Sequence, residues 1–179
     1  MKFKVFKFKT VKSTNDTAIN MIKRLNLNYG MIISESQRRG KGQYGRKWIS
    51  FKGNLFVSLF YNIENLNITL EKLTKINCLL VKKLISKFYK KKILYKKPND
   101  LLINKKKICG ILQETIDKLN KKYLIVGIGI NLIKNPNLKN YKTTNLSELT
   151  NRHISKKKIE YDLKKIFENK LSKLYRMNK

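Results

Sequence analysis

The stretch from Asp100 to Leu132 reads as three strands in close succession, and everything else in the chain must fit around them. "DLLINKKKICGILQET" is two strands joined by a lysine-rich turn, and "KYLIVGIGINL" is a third. Backbone groups in such strands must pair in a sheet. Further strands are expected at "KFKVFKFKTV", where the alternation slips phase at Val5-Phe6 and suggests a bulge, at "GMIISES", and at "GNLFVSLFYN".

Helices should cover that sheet. "STNDTAINMIKRL" places several N-cap residues before an apolar-periodic run, so a helix starts between Ser13 and Asn15. Leu70, Leu73, Ile76, Leu80, Leu84 and Phe88 recur at helical spacing, as do Ile159, Leu163, Ile166, Phe167, Leu171 and Leu174 near the C-terminus. Each set predicts an amphipathic helix, the second closing the domain, with a looser stretch before Leu146. The 179 residues suit one domain, 1–179, of mixed α and β structure.

Composition excludes several chemistries. Cys78 and Cys109 lie in apolar segments without a nearby partner and read as small buried hydrophobes. The single histidine, His153, sits in polar surroundings, which rules out His-rich zinc sites and leaves no basis for a Ser/His/Asp triad. No apolar run is long enough to span a bilayer, and "MKFKVFKFKT" is unlike a signal peptide, so a soluble, cytoplasmic protein is expected. The net charge of +31 invites a nucleic-acid reading, but the excess is mostly lysine spread along the whole chain and accompanied by Asn and Ile. An AT-rich coding sequence would produce that pattern, so no specific nucleic-acid partner is expected.

The chemistry concentrates in "SQRRGKGQYGRKW", Ser36 to Trp48. Gly40, Gly42 and Gly45 allow backbone N–H groups to approach an anion, and Lys41, Arg46 and Lys47 surround them with positive charge. The segment has neither the ending of a Walker P-loop nor the dinucleotide fingerprint. Trp48 is suited to pack on a flat ligand, or else to fill core.

With "STN" at 13–15, "KKPNDLLINKKKICGILQE" at 96–114 and "GIGINL" at 127–132, this loop resembles the biotin protein ligases over Lys12 to about Leu149. The resemblance implies their α+β fold, a mixed and largely antiparallel sheet of the class II aminoacyl-tRNA-synthetase type. It also implies their reaction: ATP and biotin give biotinyl-5′-AMP and pyrophosphate, with Mg²⁺ accompanying the nucleotide, and a lysine of a biotin carboxyl carrier domain, as in acetyl-CoA carboxylase, then takes the biotinyl group. Homodimers through an edge strand are open to such proteins.

The resemblance assigns residues position by position. Ser13, Thr14, Asn15, Gln37, Gly40, Lys41, Trp48, Gly110 and Leu112 would bind biotin, although Ser13 to Asn15 also read as a plain helix cap. Gly42, Gln43, Gly45, Lys96, Asn99, Lys107, Gly127, Ile128 and Asn131 would meet ATP, and Asp100 would place Mg²⁺. Lys107 and Arg46 would carry the catalytic charge. Lys107 is chosen over the adjacent turn lysines, Lys105 and Lys106, by its register three residues before Gly110. The chain departs from the family at Lys41 and Gln43, where arginines are usual, and at Lys97, where tryptophan is usual. The loss of a guanidinium fork at Gln43 predicts weaker retention of the adenylate. Neither an N-terminal helix-turn-helix domain nor the small C-terminal β-barrel of many relatives is expected. Lipoate ligases, which share the fold and the acyl-adenylate logic, are the closest rival reading, and a basic nucleic-acid-binding module is the other.

Overall fold

A computed structural model describes residues 1–138 and 141–177. Seven strands form one sheet: β1 (Lys4–Val11), β2 (Tyr29–Gln37), β3 (Leu55–Asn62), β4 (Leu94–Lys96), β5 (Asp100–Ile103), β6 (Lys106–Lys118) and β7 (Lys121–Ile130). Their spatial order is β1-β2-β3-β7-β6-β5-β4. Only β1 and β2 pair in parallel, and helix α1 (Thr14–Arg24) makes the crossover that a parallel pair requires. The other neighbours are antiparallel, so the expected α+β class holds.

The period-2 alternation of β3 and β7 divides the protein into two layers. Leu55, Val57, Leu59 and Tyr61 of β3, with Leu124, Val126, Ile128 and Ile130 of β7, face α2 (Leu70–Ile85) and α4 (Lys156–Met177) in the main core. Phe60, Tyr123 and Ile125 face the other way and pack with Ile32, Ala18 and Ile22 beneath α1. A short helix, α3 (Leu146–Thr150), precedes α4. Both cysteines are free and buried, and His153 is exposed.

Two local expectations need correction. The register of β1 against β2 runs unbroken from Lys4 to Phe8, without a bulge at Val5-Phe6. The phase slip is tolerated because β1 is an edge strand, and both Val5 and Phe8 are 36% exposed. Helix α2 is rotated from the expected stripe: Asn77, Cys78, Val81 and Ile85 are buried with Leu73 and Leu84, whereas Leu70 is 45% exposed. Polar Asn77 takes a core position because its amide group bonds the Tyr61 hydroxyl at 3.0 Å and donates to Gln113 Oε1 at 2.8 Å. On α4 the expected apolar residues are buried save Ile166, which is partly so, and Glu168 is buried among them. Glu168 accepts the Phe3 N–H at 2.7 Å and thereby fastens the chain just before β1.

Candidate active site

A cleft opens on the face of the sheet that carries α1, and three glycines leave much of its floor bare of side chains. Gly110 on β6 pairs with Gly129 on β7, and Leu112 pairs with Gly127. The indole of Trp48 lies over the first pair. A Cβ on Gly129 would come within 2.4 Å of it, and one on Gly110 within 2.7 Å. Over Gly127 lies Asn15 instead, 2.3 Å from where a Cβ would stand. The two glycines of the Gly-Ile-Gly-Ile run thus have separate tasks: Gly127 admits the wall of the cleft, and Gly129 admits its aromatic lid. Trp48 is half-buried in the cleft rather than part of the core, and its Nε1 is buried with no protein acceptor.

The N-terminus of α1 forms one wall. Ser13 caps the helix, its Oγ accepting from Asp16 N at 3.5 Å, and it also lines the cleft. Thr14 donates from N and Oγ1 to Gln37 Oε1 at 2.8 and 3.1 Å, and Gln37 Nε2 donates to Ser50 Oγ at 3.2 Å. Asn15 is more fully engaged. Its Nδ2 donates to Glu114 Oε2 at 2.6 Å, and its Oδ1 accepts from Ser58 Oγ at 2.5 Å. Asn15 thus ties the wall into the framework while lining the cleft, where Ser13 and Thr14 stand beside it.

The glycine segment folds as a small hairpin across the opening. Lys41 and Lys47 pair as an antiparallel bridge, Gly42 N donates to Arg46 O at 2.7 Å, and Trp48 N donates to Gly40 O at 2.9 Å. Tyr44 and Gly45 at the tip have φ of 55° and 72°, a turn that glycine makes without strain. Gln43, Arg46 and Lys47 line the cleft. Lys41 forms an ion pair with Asp16 on α1, and the bond to that carboxylate holds its ammonium above the usual lysine range.

Opposite stands Lys107. The turn at Asn104-Lys105, both left-handed at φ 50° and 60°, closes the β5–β6 hairpin, and a register shift, Leu101 pairing with Cys109 but Leu102 with Lys107, brings Lys107 to the cleft face with Gly110; neither Lys105 nor Lys106 lines the cleft. Its Nζ is 2.8 Å from Asp100 Oδ1, and it lies 5.5 Å from the Trp48 ring centroid and 5.3 Å from that of Tyr141. Asn99 is tied to β6, its Nδ2 donating to Ile111 O at 2.9 Å. Lys96 is exposed and outside the lining, so it is not brought together with the others.

Beyond Lys107 a smaller compartment is lined by Trp48, Asn131, Pro136, Leu138, Tyr141 and Thr143. Asn131 donates from Nδ2 to Thr144 O at 3.1 Å, and its Oδ1 is buried without a partner. Buried acceptors of this kind are costly unless a ligand or water completes them. The compartment is braced by Asn54, whose Oδ1 accepts from the N–H groups of Leu132, Ile133 and Lys134 at 3.0, 3.1 and 3.3 Å. Ile128 lines the main cleft, whereas Gly40 and Gly45 line an adjoining cavity with Gln37, Leu112 and Glu114, Gly40 being buried against Gln37 and Trp48.

Asp16, Ser58, Glu114, Gly129 and Tyr141 were not singled out by the sequence. Gly129 had a visible signal, the doubled glycine of a strand. The others act through partners distant in the chain, and no local pattern marks them. Among the described residues no group of three His, Cys, Asp or Glu could hold a metal, and no helix is long and apolar enough to cross a membrane.

Residues 7–131 match the model of the biotin/lipoate A/B protein ligase family. The bifunctional ligase/repressor BirA of Escherichia coli is 32% identical over 124 residues, 68% of this chain and 38% of that protein. BirA of Bacillus subtilis is 34% identical over 112 residues, 60% of this chain and 34% of that protein. The matches therefore span little more than a third of these relatives' length. Among solved structures, the biotin protein ligase of Aquifex aeolicus in complex with biotin and ATP superposes with a TM-score of 0.79 at 29% identity, covering 94% of this chain and 70% of that one.

Proposed function

Because the chain belongs to the biotin/lipoate A/B protein ligase family, we propose that it joins biotin to a lysine of a carrier domain at the expense of ATP. One observation carries this reading. The Lys107 ammonium stands at the junction of two compartments, one floored by glycines and walled by small hydroxyls, the other lined by apolar groups and the unpartnered Asn131 Oδ1. The first suits a ring with a polar ureido edge and an acyl chain. The second suits a purine with an exocyclic amine. A carboxylate and an α-phosphate would then meet beside Lys107.

The chemistry requires no protein nucleophile. A biotin carboxylate oxygen attacks the α-phosphorus, the bond to the bridging oxygen breaks, and pyrophosphate leaves. The carrier lysine amine, having lost its proton, then attacks the acyl carbon, and AMP departs as the amide forms. The first step brings anions together, and Lys107 and Arg46 offset the repulsion. Trp48 and the hairpin exclude water from the mixed anhydride. Asp100 orients the Lys107 ammonium. As the carboxylate paired with that lysine, Asp100 also suits a Mg²⁺ delivered on the nucleotide, which would neutralise phosphate charge and keep most of its ligands as water and phosphate oxygens.

In this reading the carrier is a biotin carboxyl carrier domain, as in acetyl-CoA carboxylase, and a cytoplasmic location accords with the demand for ATP. The exposed strands at the ends of the sheet, β1 and β4, offer edges for a homodimer. Pyrophosphate release from ATP and Mg²⁺ tests the reading, with biotin or lipoate supplied in turn. Release should depend on biotin, and equal or greater release with lipoate would overturn the assignment.

A further inference from the structure

The Lys41–Asp16 ion pair joins the two sides of the cleft mouth, one partner on the hairpin and the other in the first turn of the helix whose cap lines the wall. The hairpin has few other ties to that wall. Its internal bonds, Gly42 to Arg46 and Trp48 to Gly40, run within the hairpin itself. Gln43, lining the cleft where a guanidinium is usual, has no charge with which to hold the hairpin down. Glu114, which holds Asn15, adds to the negative field around Lys41. Asp16 itself is only partly exposed, at 23%, and Lys41 at 43%, so water and salt weaken the pair without abolishing it.

We propose that Asp16 and Lys41 form a latch that holds the hairpin across the cleft and sets how fast a bound ligand leaves. Asp16 is thus a positioning residue, acting through Lys41 on the lid and touching no reacting atom. The latch rests on the ligase reading only for the identity of the ligand. The tie between hairpin and helix involves only groups of the protein itself.

Two measurements test it. In ligand-free protein, Asp16→Asn should raise hydrogen exchange at the Gly42 and Trp48 amides about two- to five-fold, the range expected for losing a partly exposed pair. High salt should bring the wild type to the same rate. The charge-swapped double variant, Asp16→Lys with Lys41→Asp, should return exchange toward the wild-type value. A helix-dipole role for Asp16 predicts the reverse, because lysine in the first turn is worse there than asparagine. In parallel, biotin release followed by Trp48 fluorescence should be about two- to five-fold faster in Asp16→Asn. Equal exchange in wild type and Asp16→Asn, or a swap no better than Asp16→Asn, overturns the latch. Failure of the wild type to bind biotin would overturn the ligase reading instead, and the exchange data would still decide the latch.

Discussion

Alanine at Gly127 and at Gly129 should have opposite signatures, although the two residues are two apart on one strand and share one face. A Cβ at 127 would lie 2.3 Å from Asn15 Oδ1. That oxygen cannot retreat without breaking its bond from Ser58 and dragging Nδ2 from Glu114. Overpacking costs about 1–3 kcal/mol, and an orphaned buried polar group about 1–3 more. Gly127→Ala should therefore lose about 2–6 kcal/mol, which lowers Tm by about 4–24 °C for a chain of this size. A Cβ at 129 would instead meet the Trp48 ring, 2.4 Å away, and Trp48 belongs to a hairpin that can lift. Gly129→Ala should cost less than about 1 kcal/mol in stability while weakening biotin binding about five-fold or more, the binding equivalent of about 1 kcal/mol. Calorimetric melts and a biotin titration separate the two. Equal loss of Tm in both variants, or an unaffected melt for Gly127→Ala, would refute the separate tasks assigned to these glycines.

Three further outcomes follow from the cleft. Lys107→Ala should slow pyrophosphate release about 10- to 150-fold, the equivalent of one charge-assisted bond, with Lys105→Ala as a control that leaves the rate near wild type. Gln43→Arg should slow escape of the adenylate about five-fold or more, read as less biotinylation of bystander lysines, because a guanidinium adds a forked contact worth about 1 kcal/mol or more that glutamine lacks. Asn54→Ala strands three backbone N–H groups beside the nucleotide compartment and should cost about 3 kcal/mol, lowering Tm by about 6–12 °C.

Much of this arrangement was legible where the signal was local. The Ser13 cap and the lysine turn between β5 and β6 rest on residues a few positions apart, whereas Lys107 was selected by the family resemblance and reaches the cleft face through a register shift that no local pattern announces. The α2 stripe was misplaced because periodicity gives a helix a face but not its rotation once Tyr61 and Gln113 offer polar partners in the core. Asn15 shows the same limit. Its residue type suits a ligand contact and it lines the cleft, yet Ser58 and Glu114, brought in from β3 and β6, also tie its carboxamide into the framework, which the sequence does not reveal. Lys96 was chosen by its place in a motif, but its strand leaves it in solvent. Asp16 and Tyr141 could not be found at all, since each matters only through a lysine far away in sequence.

Net charge carries a consequence for kinetics that depends on where the steps occur. In the proposed reaction, adenylate formation takes place in the cleft, whereas the carrier must arrive from solution. If the surplus of +31 steers an acidic carrier, the transfer step should lose rate with added salt more steeply than pyrophosphate release does. Both half-reactions can be followed with biotin and ATP saturating and carrier limiting. Equal slopes would mean the lysines have no steering role.

The most direct test of the account is mass spectrometry of a carrier domain after incubation with the protein, biotin, ATP and Mg²⁺. The account predicts a biotinyl group in amide linkage on one lysine of the carrier, dependent on ATP and reduced by Lys107→Ala. A carrier left unmodified while pyrophosphate is released would confine the chain to adenylate formation. A carrier that accepts lipoate but not biotin would contradict the central claim.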